Sequence, residues 1–284
     1  MLRRGINLQA PWEERWLDAI AAAGFDTVRL PVVWSAVSVH AVEAAVRAAL
    51  ARGLAVVLDV HRFDADREGP RLVRLWQEIG AYFAGFDERV CFELLNEPHA
   101  PLDAERWNDL LAEALAAVRA SNPARTVLVG PVHWSTVGAL DSLRLPEDGA
   151  LVATVHYYSP FRFTHQGARW IGGAGGWRGA RWGSAADRTR VRDELGGAAA
   201  WARAAGVPLF LGEFGTLETA PLDDRAAWTR CVRETAESLG MGWCLWDFNT
   251  DFGVYDPDVR AWRDELLEVL PPASERDDER AAGR

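Results

Sequence analysis

Cys91-Phe-Glu-Leu-Leu-Asn-Glu-Pro98 is a short apolar run that suits a buried strand and is closed by proline, so Glu97 falls where a strand becomes a loop. A second run of the same kind, Pro208-Leu-Phe-Leu-Gly-Glu-Phe-Gly215, closes on glycine and gives Glu213 the same station. Outward from these two, strand-length apolar runs recur at Arg4 to Leu8, Thr27 to Val32, Ala55 to Val60, Val90 to Leu95, Thr126 to Gly130, Leu151 to Tyr157, Pro208 to Leu211 and Gly242 to Trp246. Amphipathic, helix-length stretches follow them in turn: Trp12 to Ala23, Val39 to Arg52, Pro70 to Phe83, Ala104 to Ser121, Ser135 to Leu143, Ala186 to Ala205, Leu222 to Leu239 and Val259 to Leu270. Gly24, Gly53, Gly206 and Gly240 stand just past four of these helices, where a left-handed cap is expected. Eight strand-then-helix units predict an α/β fold of one domain, a (β/α)8 barrel over residues 1–270, rather than an open doubly wound sheet.

Two stretches break the rhythm. Ser159 to Ser184 is rich in Gly and Trp with little periodicity, which predicts a long loop over the barrel mouth. Residues 271–284, Pro-Pro-Ala-Ser followed by mixed charges and small residues, hold too little apolar surface to pack and are expected to form a disordered tail.

Composition narrows the function. With 31 basic and 41 acidic residues the net charge is -10, and such a surface repels a nucleic acid, whose binders neutralise phosphates with clustered cations. No uninterrupted apolar stretch is long enough to span a membrane. The N-terminus lacks the charged-then-apolar pattern of a secretory signal, so the expectation is a cytoplasmic protein, or a secreted one if a leader has been removed. Cys91, Cys231 and Cys244 sit in apolar settings without metal-ligand or disulfide spacing. No glycine-rich nucleotide loop follows a strand, and no cofactor is expected.

In such barrels the active site occupies the carboxyl ends of the strands. Here those ends carry Arg29, His61, Asn96 with Glu97, His133 with Trp134, His156 with Tyr158, Glu213, and Trp246 with Asp247. Glycoside hydrolysis needs one carboxylic acid for the leaving oxygen and a second carboxylate across the anomeric carbon, and strands four and seven lie across the barrel from each other. Trp246 and Trp134 suit the apolar faces of sugar rings, while Asn96, His61, His156 and Tyr158 suit their hydroxyls. Metal-assisted hydrolysis is the competing chemistry for His61, His133 and His156, but the expected His-x-His after the first strand is missing, and no metal is expected. Glu93 shares strand parity with Glu97 and lies deeper, as a structural partner for an arginine would; His99 and His133 read as loop hydrogen bonders.

Arg29-Leu-Pro, His61, Leu-Asn96-Glu97-Pro98, His156-Tyr-Tyr158, Gly-Glu213-Phe-Gly and Trp246 resemble, in this order, glycoside hydrolase family 5, the cellulase and mannanase family. The likeness runs to about Leu270, and Phe163-Thr-His165-Gln-Gly-Ala and Phe252-Gly-Val-Tyr-Asp256 resemble a bacterial endoglucanase branch of which some members also cut mannan. The resemblance implies Glu97 as general acid/base and Glu213 as nucleophile, with Arg29 and Tyr158 keeping Glu213 ionised and Asn96 on the sugar 2-hydroxyl. It implies that His61, His156 and Trp246 shape the subsite at the cleaved bond; apart from the resemblance, His165 and Trp170 in the long loop are candidates for further sugar contacts. One departure is His61-Arg62 where that branch usually has two histidines; another is the shortness of the loops Gln9 to Trp12 and Trp34 to Val39.

The function expected from all this is a retaining, endo-acting β-glycosidase on β-1,4-glucan, working as a monomer on an oligo- or polysaccharide. A β-mannanase or exo-β-glucosidase on the same scaffold is the nearest alternative, and a non-catalytic carbohydrate-binding protein a further one.

Overall fold

The computed structural model describes residues 2–63 and 65–270. Eight parallel strands close into a barrel in sequence order: β1 (Arg4–Asn7), β2 (Thr27–Val32), β3 (Ala55–Val60), β4 (Val90–Glu93), β5 (Val127–Val129), β6 (Leu151–Tyr157), β7 (Leu209–Phe214) and β8 (Gly242–Leu245). Closure is made by β1 on β8, with Gly5 opposite Cys244. A parallel barrel buries both faces of each strand, which is why β2 and β7 are buried at every residue and why their sequences read as continuous apolar runs. The floor of the barrel is a small cluster of Val57, Cys91, Leu128, Phe210 and Cys244; the larger core lies between strands and helices. All three cysteines are free and buried.

The surrounding helices are α1 (Glu14–Ala22), α2 (Val39–Ala51), α3 (Ala65–Phe83), α4 (Ala104–Arg119), α5 (Phe161–Thr164), α6 (Ala185–Ala205), α7 (Leu222–Ser238) and α8 (Asp264–Leu267). Side chains start three of them: Ser38 accepts from the Ala41 amide, Asp103 from the Arg106 amide, and Ser184 forms a capping box with Asp187. The four expected C′ glycines all have positive φ, between 69° and 95°. Among the described residues, no helix is long and apolar enough to cross a membrane.

Three buried tryptophans connect this outer layer to the barrel mouth. Trp76 on α3 donates to Leu94 O, Trp107 on α4 to Gly130 O, and Trp228 on α7 to Ser159 O, each at 2.8–2.9 Å. Each ring buries on the order of 150–250 Å² while its N–H satisfies a carbonyl at a strand's carboxyl end. The loops that carry the site residues are thereby fixed by packing from behind. Gly215 closes β7 because a side chain there would lie 1.9 Å from Trp246 O.

The strands match the sequence expectation closely, and β7 extends beyond it to include Glu213. The helices differ in three places. Where Ser135 to Leu143 predicts a helix, a 3-10 turn spans Val137–Ser142, because His133, Trp134 and Ser135 take φ of 60°, 58° and 52° and Thr136 bridges to His156. Where Val259 to Leu270 predicts a helix, β9 (Tyr255–Asp256) pairs with β10 (Ala261–Trp262) and only the short α8 follows. Aromatic contacts decide this: Phe248 stacks on Tyr255 at 4.5 Å and both meet Trp262 at 5.5 Å, while Asp256 accepts the turn amides of Asp258 and Val259. Trp262 is therefore a hairpin residue, and Trp12 precedes α1 and donates to Leu8 O. Third, α3 begins at Ala65 with Pro70 inside it, where the sequence predicts a start at Pro70. The expected tail, 271–284, lies outside the described residues.

The segment 159–184 is better ordered than its composition predicts. It holds α5 and a 3-10 turn at Ala174–Trp177, stapled by Gln166, whose buried amide donates to Phe163 O and Ala180 O and accepts from the Gly179 N–H.

Candidate active site

Arg29 projects from β2 into the barrel and is fully buried. Its five donors are spread over the surrounding strand ends: Nε and Nη2 to both oxygens of Glu93 (2.7 and 2.9 Å), Nη1 to Asn7 Oδ1 (2.9 Å) and Glu213 Oε1 (2.7 Å), Nη2 to Asn96 Oδ1 (2.9 Å). Asp59 Oδ2 lies 3.0 Å from Nη2. Burial opposes the charge, yet Asp59, Glu93 and Glu213 together hold the guanidinium protonated more firmly than usual. Glu93 is thus the buried partner of an arginine that its strand parity predicts.

Glu213, at the end of β7, receives a second hydrogen bond on its other oxygen, from Tyr158 Oη at 2.9 Å. Glu97 follows β4 in a left-handed backbone conformation, φ 47°, which turns its side chain back over the mouth. One oxygen of each glutamate and a ring nitrogen of His156 lie within 4.8 Å of one another. His156 Nδ1 stands between them, 2.8 Å from Glu97 Oε1 and 3.5 Å from Glu213 Oε2.

The pair is electrostatically unequal. Burial pushes the Glu97 carboxyl up to about 7; His61, Arg29 and His99 pull it back, and Asp59 raises it. Desolvation is the leading cause. Burial raises Glu213 too, against His156 and Arg29 and together with Glu97. Glu213 differs in accepting two hydrogen bonds that favour its ionised form, from Arg29 and Tyr158. When one proton is shared between the two, it belongs on Glu97. The same burial and the nearby acids hold the Tyr158 hydroxyl protonated, and burial keeps His156 below the ordinary imidazole range.

The remaining predicted residues gather around this centre. Asn96 spends its Oδ1 on Arg29, which leaves its amide nitrogen without a protein partner among the described residues. His61 Nδ1 lies 2.8 Å from Asp59 Oδ2, and its ring stacks on Trp246 at 5.8 Å and 11°. A cavity of about 520 Å³ is lined by Gln9, His61, Glu97, Tyr158, Glu213 and Trp246. A second, of about 740 Å³, opens on the other side of Glu97 between Trp134, Phe161, His165 and Trp170. Trp134 and Trp170 are 50% and 60% exposed, so both offer a ring face to a ligand; Trp134 is backed by His99, stacked at 5.0 Å. His165 is buried among Tyr158, Phe161 and Phe252 and lines both cavities.

Sequence reasoning missed Asn7, Asp59 and Gln9. Asn7 holds Arg29 and ties β1 to Gly212 O and Leu245 O; Asp59 fixes His61; Gln9 donates to Asp247, whose carboxyl burial raises to about 6. The signal for Asp59 was its two-residue offset from His61 in an otherwise apolar strand, a parity that turns both side chains inward.

Glu97, Glu213 and His156 are close enough to clasp a cation. The site already has one: the Arg29 guanidinium, 2.7 Å from Glu213 Oε1. The donor set fits proton sharing better than a metal beside a buried fixed charge.

A stability test follows from Glu97. Its carboxyl sits near 7 in the folded chain against 4.5 ordinarily, so the folded form is favoured by protonation: the benefit is complete below about pH 4.5 and is lost as pH rises through 7. Glu97→Gln is expected to match the parent near pH 4 and to exceed it at pH 8.5 by at most about 3 kcal/mol in urea unfolding. A variant no more stable than the parent at high pH would show that burial does not strain this acid.

Residues 5–252 match the sequence profile of the family described as cellulase (glycosyl hydrolase family 5). Endoglucanase H of Acetivibrio thermocellus is 28% identical over 94% of this chain, which spans about a third (32%) of that relative's length. Among solved structures, Thermotoga maritima Cel5A in complex with a mannotriose substrate superposes with a TM-score of 0.91 at 34% identity, covering 95% of this chain and 97% of the other. The same protein in complex with cellobiose gives a TM-score of 0.91 at 35% identity over 95% and 97% of the two chains. With a matching profile over most of its length and relatives above 30% identity along the whole barrel, the chain belongs to the cellulase family, glycosyl hydrolase family 5.

Proposed function

We propose that the chain is a retaining endo-β-1,4-glucanase in which Glu213 is the nucleophile and Glu97 the general acid/base. The observation that carries this is the approach of the two carboxyl groups to within 4.8 Å. Retaining pairs stand about 5–5.5 Å apart, whereas inverting pairs need roughly 6.5–9.5 Å to admit a water. In the first step Glu213 attacks the anomeric carbon while Glu97, protonated near neutral pH, gives its proton to the departing oxygen. In the second, Glu97 as carboxylate takes a proton from water, which attacks the same carbon and frees Glu213. Arg29 and Tyr158 hold the nucleophile ionised and oriented. The Asn96 amide nitrogen is the donor turned to the sugar, and Trp246, braced by His61, is the platform beneath it.

A polysaccharide chain is the substrate that suits two cavities meeting at Glu97, one on either side of the cleaved bond. Glucan is favoured by relatives named endoglucanases. The test is reducing-sugar release and viscosity on soluble β-1,4-glucan, mixed-linkage glucan, mannan and xyloglucan. The expected result is turnover of β-1,4-glucan with viscosity falling well ahead of reducing ends. Activity on mannan alone, single-sugar release without loss of viscosity, or binding without turnover would each overturn the reading.

A further inference from the structure

Behind the acid pair, two buried polar atoms have no hydrogen-bond partner among the described residues: Nε2 of His156 and Oγ1 of Thr154. The residues are two apart on β6, so both side chains point into the barrel, and they are 2% and 0% exposed. Both lie against the same glycine. A methyl added to Gly212, on the adjoining strand β7, would lie 2.7 Å from Thr154 Oγ1 and 3.1 Å from His156 Nε2. A buried hydroxyl and a buried ring nitrogen each left unpaired would cost on the order of 1–3 kcal/mol, so two such atoms against one glycine are expected to satisfy each other.

The opposite nitrogen of the same ring faces the chemistry. A neutral imidazole carries its proton on one nitrogen and accepts on the other, and a hydrogen bond at one end selects the state of the other. We propose that Thr154 is a positioning residue for the reaction: its hydroxyl turns to donate to His156 Nε2, beside the bare Cα of Gly212, and so fixes the ring proton on Nδ1, where it points at Glu97. This inference rests on Glu97 being the acid/base. An N–H directed at Glu97 Oε1 favours the carboxylate, the form needed as base in the second step. A ring turned to the other tautomer would present a lone pair and favour the protonated acid.

His156 is faced by Glu97, Glu213, Arg29, Glu93 and Asp59, and Glu97 in addition by His61 and His99. Burial keeps His156 neutral, so tautomer choice is open to a neutral donor. Glu213 Oε2, at 3.5 Å from Nδ1, favours the same tautomer, and the experiment must separate the two influences.

Thr154→Val removes the hydroxyl while keeping the shape; Thr154→Ser restores it. In histidine-¹⁵N-labelled protein, with the His156 signals assigned from His156→Gln, the parent and Thr154→Ser are expected to show a protonated Nδ1 and a bare Nε2. Thr154→Val is expected to shift both nitrogens toward a tautomer mixture. In kcat/KM on soluble β-1,4-glucan, the basic limb of the pH profile should move up by at least about half a unit in Thr154→Val and return in Thr154→Ser. A parent ring protonated on Nε2, or a Thr154→Val protein with unchanged nitrogen shifts and an unchanged basic limb, would overturn the proposal, the latter because Glu213 alone would then fix the ring. Nitrogen shifts that respond as expected in a protein without glucanase activity would instead leave the tautomer lock standing and remove the assignment of Glu97.

Discussion

Glu213→Ala is expected to lower kcat on every β-1,4-glucan and aryl β-glycoside by a factor on the order of 10⁴ or more, with no recovery from improved leaving groups. The reason is positional. Glu213 is the one carboxylate of the pair that receives both the Arg29 guanidinium at 2.7 Å and the Tyr158 hydroxyl at 2.9 Å, the two bonds that in the proposed mechanism favour its charged form for attack. Glu97→Ala should behave differently. Loss of the general acid costs roughly 10²–10⁴ on a polysaccharide, whose leaving oxygen needs a proton. A dinitrophenyl glycoside needs none, so its first step should survive, and azide in the space left by the side chain should restore turnover as the β-glycosyl azide. Equal losses in both variants, with no azide effect in either, would contradict the division of roles.

Arg29→Met is expected to destabilise the fold by about 3–5 kcal/mol at pH 8, because removal of a buried cation leaves its acids uncompensated. Three are involved: Asp59 and Glu213 within 3.0 Å, and Glu93 held by two hydrogen bonds. For a chain of this size the loss corresponds to a fall in Tm on the order of 10 °C. Burial already raises Glu93 and Glu213, and without Arg29 both rise further, so the penalty should shrink as pH falls and these acids take up protons. Calorimetry at pH 5 and pH 8 checks this. A Tm change of a degree or two, or one equal at both pH values, would show that the network is not what holds the mouth of the barrel.

Much of the barrel was legible because its signal is local. Runs such as Ala55 to Val60 are apolar on both faces, and only a strand buried on both sides requires that. The two glutamates were legible for the same reason, as charges ending such runs. The failures share a cause: the contacts that decide them are distant in sequence. Val259 to Trp262 reads as the start of a helix until Phe248 and Tyr255 arrive to stack on Trp262. Ser135 to Leu143 reads as helical until three left-handed residues at its start and the bridge from Thr136 to His156 are seen. The inner ring of the site was half visible. Asn96 and His61 stand just past strand ends where polar residues draw notice, and Arg29 is a cation inside an apolar run, whereas Asn7, Asp59 and Thr154 are small polar residues within their strands. Their roles appear only when eight strands bring them to one axis.

In the proposed reaction Glu213 forms a covalent bond to the sugar across from Glu97. The most direct measurement is to treat the protein with a 2-deoxy-2-fluoro-β-cellobioside bearing a dinitrophenyl leaving group, then digest it and locate the added mass. The expected result is time-dependent inactivation and one disaccharide ester on Glu213, released with retained anomeric configuration when an acceptor is supplied. An ester on Glu97 or Glu93, or turnover with an inverted product and no adduct, would contradict it.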